Sequence, residues 1–165
     1  MERGSLKIIR GLSAISNLPT HVAKRQSEQI LKRLEGELDL KGEIDILENV
    51  PSNGPGAFVF LLAEYHGVLA GFSSLGVRGK PSEKVADEAV DSLKDYLESD
   101  GCVDPYLPDQ LAPFMALANG YSSMTTTRIT EHLLTSLWVL EHFLDITISR
   151  EGEVGTEGRI EFLNE

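Results

Sequence analysis

A single cysteine is the first scarcity that bounds this chain. Cys102 has no partner for an internal disulfide, so nothing points to an oxidising compartment. Beside Gly101 it reads as a small buried residue rather than a nucleophile. Long apolar runs are missing too. No stretch approaches the roughly 20 residues that span a bilayer. The opening Met-Glu-Arg-Gly-Ser-Leu-Lys has no uninterrupted apolar core of signal-peptide type. A soluble, cytoplasmic protein without a membrane partner is the expectation. Positive charge is scarce: 15 Lys and Arg face 26 Asp and Glu, for a net charge of −11. That balance argues against a broad electrostatic grip on nucleic-acid backbone. It leaves room for a nucleic-acid end held in a local basic cleft, because distribution matters more than the total. No glycine-rich P-loop, zinc-ligand spacing or low-complexity run occurs.

What is present fits one ordinary domain or two small ones in 165 residues. Leu6 to Ile15 alternates imperfectly and predicts a strand. Pro19 and Thr20 look like a helix start. Val22, Gln26, Ile30 and Leu34 then repeat every four residues, an amphipathic pattern expected to end near Gly36. Ile44–Leu47 is a short strand, and Pro51–Gly56 a loop. Ala57–Tyr65 and Val68–Leu75 read as a hairpin about His66-Gly67. After a loop at 77–81, Ser82 can cap a helix with the stripe Val85, Ala89, Leu93, Tyr96 and Leu97. Ser99-Asp100-Gly101 marks the expected domain boundary, giving domains at 1–99 and 100–165.

The character then changes. Leu107–Ala118 has a helix pattern, stopped by Asn119-Gly120 and carrying Pro113 inside it. That proline cannot donate to the Asp109 carbonyl four residues back. Tyr121–Thr127 is polar and β-prone. A helix to about Phe143 follows, capped by Thr130, and Ile146–Ser149 and Arg159–Leu163 are strands. The acidic stretch Glu151, Glu153, Glu157 with its glycines reads as a solvated loop.

His132 falls in the first turn of the Thr130-capped helix. The positive end of a helix disfavours imidazolium and favours a bound phosphate, so His132 is a candidate phosphorus-attacking nucleophile. Thr125, Thr126, Thr127, Thr130 and Arg128 stand nearby as donors to an oxyanion. On this local pattern alone a capping-region histidine without chemistry is the default. His21 occupies a similar place in its own helix. His142 is ten residues from His132, about 280° around the axis, so the two do not form a metal pair. Asp109-Gln110 suits a base, a metal or a water as readily as an ordinary acidic first turn.

The residues from Cys102 to Phe143 resemble the C-terminal portion of the RNA 3′-terminal phosphate cyclase family. Val103-Asp104-Pro105-Tyr106-Leu107-Pro108-Asp109-Gln110-Leu111, Ala116-Leu117-Ala118, Thr130-Glu131-His132-Leu133-Leu134-Thr135 and Trp138-Val139-Leu140-Glu141-His142-Phe143-Leu144 carry the likeness. Upstream, Leu18-Pro19-Thr20-His21-Val22-Ala23-Lys24-Arg25 and the stretch from Gly76 to Ala86 follow the family in the same order. The resemblance implies an α+β fold. A small β-α-β-β-α inserted domain would be followed by one repeat of the large domain, of βαβ type, like the C-terminal domain of translation initiation factor 3. It also implies ATP-dependent conversion of RNA 3′-phosphate ends to 2′,3′-cyclic phosphates through a covalent histidine–AMP. His132 matches the family's nucleophile. Tyr106, Leu107, Pro108, Asp109 and Gln110 match its nucleotide-binding segment, with Pro108 where a small residue is usual. Ser136 stands where many relatives have Asn.

ATP and a divalent metal, with magnesium the expected ion, are the implied cofactors. RNA 3′-phosphate ends are the implied partner. The family's N-terminal half, with its Arg/His-Gly-x-x-Pro-x-Gly-Gly-Gly signature, is not found in these residues, so it is expected as a further partner and the chain alone is expected to be inactive. Two other readings stand beside this one. A non-catalytic relative would bind ribosomal RNA or assembly factors, and such relatives lack the histidine. A folding or interaction module would bury Leu133, Leu137 and Trp138 by self-association.

Overall fold

The computed structural model describes residues 3–164. They form two compact units, one spanning Gly4–Leu97 and the other running from Glu98, with Arg3 grouped with the latter. The division falls two residues ahead of the expected boundary.

The first unit contains β1 (Leu6–Ser16), α1 (His21–Leu38), β2 (Gly42–Leu47), β3 (Gly56–Tyr65), β4 (Leu69–Leu75) and α2 (Ser82–Leu97). This order has one strand more than the expected β-α-β-β-α, because both arms of the 57–75 hairpin and the short 42–47 segment all pair. The sheet order is β2-β1-β3-β4. β1 and β2 run parallel, which requires a crossover, and α1 supplies it. The other pairs are antiparallel. Alternation along β3 buries Val59, Leu61, Ala63 and Tyr65 against the helices. From α1 the core takes Ile30 and Leu34, and from α2 it takes Val85, Ala89, Val90, Leu93 and Tyr96. Gln26, in the apolar stripe of α1, is fully buried as well.

Two helix signals read differently in space. α1 passes Gly36, which sits in open space, and ends where Asp39 adopts φ 52 and sends its N–H to the Leu34 carbonyl. Asp tolerates the left-handed conformation, so it takes the capping place expected near the glycine. Ser82 lies inside α2 rather than before it. The Pro81 carbonyl accepts from Lys84 and Val85 N–H and starts that helix.

Ion pairs knit the first unit's surface. Arg33 reaches Glu37 at 2.8 Å and Asp91 at 2.8 Å, tying α1 to α2. Arg25 makes a two-pronged contact with Glu83, and Lys80 meets Glu88. The bonds from Arg33, Arg25 and Lys80 hold the carboxyls of Glu37, Glu83 and Glu88 below the usual carboxylate range. A carboxyl depressed in the folded state stabilises it above the unfolded pKa of about 4.3, and loses that contribution as pH falls through the folded value. Urea midpoints measured down the pH scale are therefore expected to hold level to about pH 5 and to drop below pH 4. Charge-neutral replacement of Arg33 is expected to shrink that drop.

The second unit contains α3 (Leu107–Leu117), β5 (Gly120–Thr126), α4 (Glu131–Phe143), β6 (Thr147–Glu151) and β7 (Gly158–Asn164). β7 lies between β5 and β6 and is antiparallel to both. β5 and β6 therefore point the same way, joined by α4. Val103 forms a parallel bridge to Thr126, so α3 also connects two parallel segments. The result is a β-α-β-α-β-β repeat whose first strand is reduced to one bridge. Alternation turns Met124, Ile160 and Phe162 towards Ala112 and Ala116 of α3 and Leu133 and Leu137 of α4. Together the two units are mixed α+β with two small sheets and four helices.

Gly101 marks a close approach. A Cβ there would lie 2.2 Å from Thr127 N and 2.3 Å from Thr126 C. Backbone atoms cannot step aside as a flexible side chain can. Gly101→Ala is expected to cost about 1–3 kcal/mol, the usual range for forced overpacking. A lower urea midpoint at unchanged slope would show it.

Candidate active site

α4 begins as the sequence implies. Thr130 has extended backbone angles, and its hydroxyl accepts from Leu133 N–H at 3.1 Å. The N–H groups of Glu131 and His132, also in the first turn, have no partner among the described residues. They are the orphan donors of a helix start, suited to an oxyanion.

α3 is started by Asp104. Its Oδ1 accepts from Tyr106 N–H at 2.8 Å and Leu107 N–H at 3.2 Å. Pro108 follows in the first turn, where a missing N–H costs nothing. The helix continues through Pro113, which leaves the Asp109 carbonyl without its usual donor.

α3 and α4 pack together, and the central contact joins two residues the sequence had singled out separately. Nδ1 of His132 lies 2.5 Å from Oδ2 of Asp109. The imidazole is 82% exposed and the aspartate 18%. The other carboxylate oxygen of Asp109 is buried with no hydrogen-bond partner. A carboxylate placed on Nδ1 makes that nitrogen the proton donor and fixes the ring's tautomer. The lone pair is then on Nε2, at the opposite edge of an exposed ring. A histidine so held has the geometry that a directed nitrogen nucleophile needs. This pairing was invisible in the sequence, because the two residues sit on different helices and no spacing rule links them.

The rest of the 106–110 segment divides by exposure. Tyr106 is 71% exposed, its ring free to stack on a flat ligand. Gln110 is exposed and donates to the Tyr106 carbonyl at 3.2 Å. Leu107 is half-buried. Pro108 is buried.

The threonines near His132 are mostly committed to structure. Thr126 is fully buried, and its hydroxyl contacts the Asp104 and Arg128 carbonyls. Thr125 accepts from Cys102 N–H and Thr130 caps α4. Arg128 is exposed. Of the donors expected around a phosphate, the structure leaves Arg128, Thr127 and the α4 N–H groups. His142 is not part of the group. It bonds the Trp138 carbonyl at 2.7 Å and its ring lies 4.0 Å from that indole.

Residues 1–98 match the family model described as the RNA 3′-terminal phosphate cyclase insert domain. The chain belongs to the RNA 3′-terminal phosphate cyclase family. It is 42% identical over 161 residues to the RNA 3′-terminal phosphate cyclase of Thermococcus onnurineus, covering 97% of this chain and 46% of that one. The Pyrococcus abyssi cyclase is 38% identical, with 94% and 44% covered. The Gloeothece citriformis cyclase is also 38% identical, with 87% and 40% covered. The chain thus spans less than half the length of these relatives.

Among the described residues, no group of three or more His, Cys, Asp or Glu side chains is placed to hold an ion. No helix among the described residues is long and apolar enough to cross a membrane.

Proposed function

We propose that this chain carries the covalent adenylyl acceptor of an RNA 3′-phosphate cyclisation reaction, with His132 as the acceptor. The observation that supports this most is the Asp109–His132 contact, which directs Nε2 outward from a helix start. Nε2 attacks the α-phosphorus of ATP. An N–P bond forms, the bond to the β-phosphate oxygen breaks, and pyrophosphate leaves. Asp109 holds the Nδ1 proton while positive charge builds on the ring, an electrostatic role of the kind that carboxylates play beside catalytic imidazoles. An oxygen of an RNA 3′-phosphate then attacks the adenylyl phosphorus and returns the pair of electrons to Nε2. The neighbouring 2′-hydroxyl finally attacks the RNA 3′-phosphorus and gives its proton to water; the bond to the AMP oxygen breaks, AMP leaves and the 2′,3′-cyclic phosphate closes.

Tyr106 is proposed to stack on the adenine and Gln110 to approach its edge, with Leu107 and Pro108 shaping the seat between them. Arg128 and the first-turn N–H groups of α4 would face the phosphates. The rest of the site is proposed to come from a family N-terminal half, so the chain alone is expected to label weakly or not at all. The test is incubation with ATP labelled at the α-phosphate, with and without that complementing half. Acid-labile label on this chain supports the reading. A completed protein that takes up no label rejects it.

A further inference from the structure

The first unit holds a cleft of its own, of about 520 Å³. That volume falls in the range of small-molecule sites, roughly 300–1,000 Å³. Val22 of α1, Ala57 of β3, Val77 in the loop after β4 and Val85 of α2 give it apolar walls. Gln26, Ser82 and Arg78 also line it.

Gln26 is the informative member. It is 0% exposed. Its Oε1 accepts from the Ser13 hydroxyl at 2.7 Å, while its Nε2 is buried with no hydrogen-bond partner. The Ser13 hydroxyl also lies 3.0 Å from the Ala23 carbonyl. If its one proton goes there, the amide turns over, and the oxygen takes the unpartnered place. In both arrangements one atom of a fully buried amide lining the cleft is left without a hydrogen-bond partner. Buried polar groups are otherwise almost always paired, so such an atom calls for an occupant.

At the loop, Arg78 is exposed with no partner among the described residues, whereas Lys80 is already engaged by Glu88 and the Leu75 carbonyl. A simple anion would leave the apolar walls unused. A hydrocarbon would leave Gln26 unpaired. An occupant with a flat apolar body, a polar edge and an anionic group uses all three.

We propose that this cleft binds a single nucleotide, its base between the valines with an edge atom on Gln26, and its phosphate on Arg78. The nucleotide is either free or one unpaired member of an RNA strand. The proposal is independent of His132.

The test is a set of ¹⁵N–¹H correlation spectra of the whole chain, titrated separately with AMP, a short unstructured oligoribonucleotide and inorganic phosphate. AMP or the oligonucleotide should move the Gln26 side-chain amide and the backbone signals of Gly76, Val77 and Gly79, and the tighter of the two names the source. Phosphate alone should leave Gln26 in place. Arg78→Ala, at an exposed position, should keep the folded spectrum and weaken binding about tenfold, the scale of one charge-assisted hydrogen bond. Gln26→Leu should remove binding where its spectrum remains folded. Cleft signals that ignore both nucleotide ligands overturn the proposal. So does phosphate moving the same signals as far as AMP, or an unchanged affinity in Arg78→Ala. The readout is specific to these residues, so failure here leaves the adenylyl-transfer reading standing, and the reverse also holds.

Discussion

His132→Ala is expected to reduce covalent labelling from α-labelled ATP to background in the protein completed by a family N-terminal half. The substitution deletes the only nitrogen that the Asp109 contact directs outward. Loss of a nucleophile that acts in concert with its partners costs on the order of 10⁶ in rate. The fold should survive. The ring is 82% exposed and contributes little to the core, which takes Leu133 and Leu137 from the same helix. Thermal stability should fall only moderately, by about 1–3 kcal/mol, because the largely buried Asp109 carboxylate loses its His132 partner. Labelling that persists in a folded His132→Ala protein would assign the adenylyl acceptor elsewhere.

Asp109→Asn is expected to lower the labelling rate by about 10³–10⁴ while leaving the histidine in place. An asparagine can turn its NH2 towards Nδ1. That geometry favours the tautomer with its proton on Nε2, and it blocks the lone pair that must attack. The same carboxylate-to-amide change in a serine protease triad costs about 10⁴ for this reason. The effect should appear in the rate of adenylyl transfer more than in the apparent affinity for ATP, because Asp109 acts through the histidine. Asp109→Glu should not restore the rate, since its extra methylene cannot hold a 2.5 Å contact without moving one helix. A rate for Asp109→Asn within about threefold of the parent would mean that the contact does not set the tautomer.

Much of the architecture was legible because local patterns and global packing agree. From the four-residue repeat, Gln26, Ile30 and Leu34 became the buried face of α1, with Ala23 in place of the half-buried Val22, and alternation along 57–65 became the core-facing side of β3. Thr130 was readable as a cap because its hydroxyl and the apolar run after it belong to one local signal. The departures share one cause, a tertiary partner that a local signal omits. Gly36 suggests a helix end, yet α1 continues because Leu38 packs on the core. Thr126 looks like an oxyanion donor, yet its hydroxyl is fully buried between the Asp104 and Arg128 carbonyls.

For the site, the sequence supplied both Asp109 and His132 but not their meeting. That contact depends on α3 and α4 sharing the core of Ala112, Ala116, Leu133 and Leu137. Gln26 was legible only as one member of an apolar stripe. Its unpaired atom emerged from the placement of Ser13 on the neighbouring strand.

The central claim is that Nδ1 is held by Asp109 and Nε2 forms the bond to phosphorus. The most direct measurement is the position of the adenylyl group on the His132 ring, read by ³¹P and ¹⁵N spectra of the labelled, completed protein. An N–P coupling to Nε2 of His132 is the predicted result. A coupling to Nδ1, or an adduct on any other side chain, would contradict it.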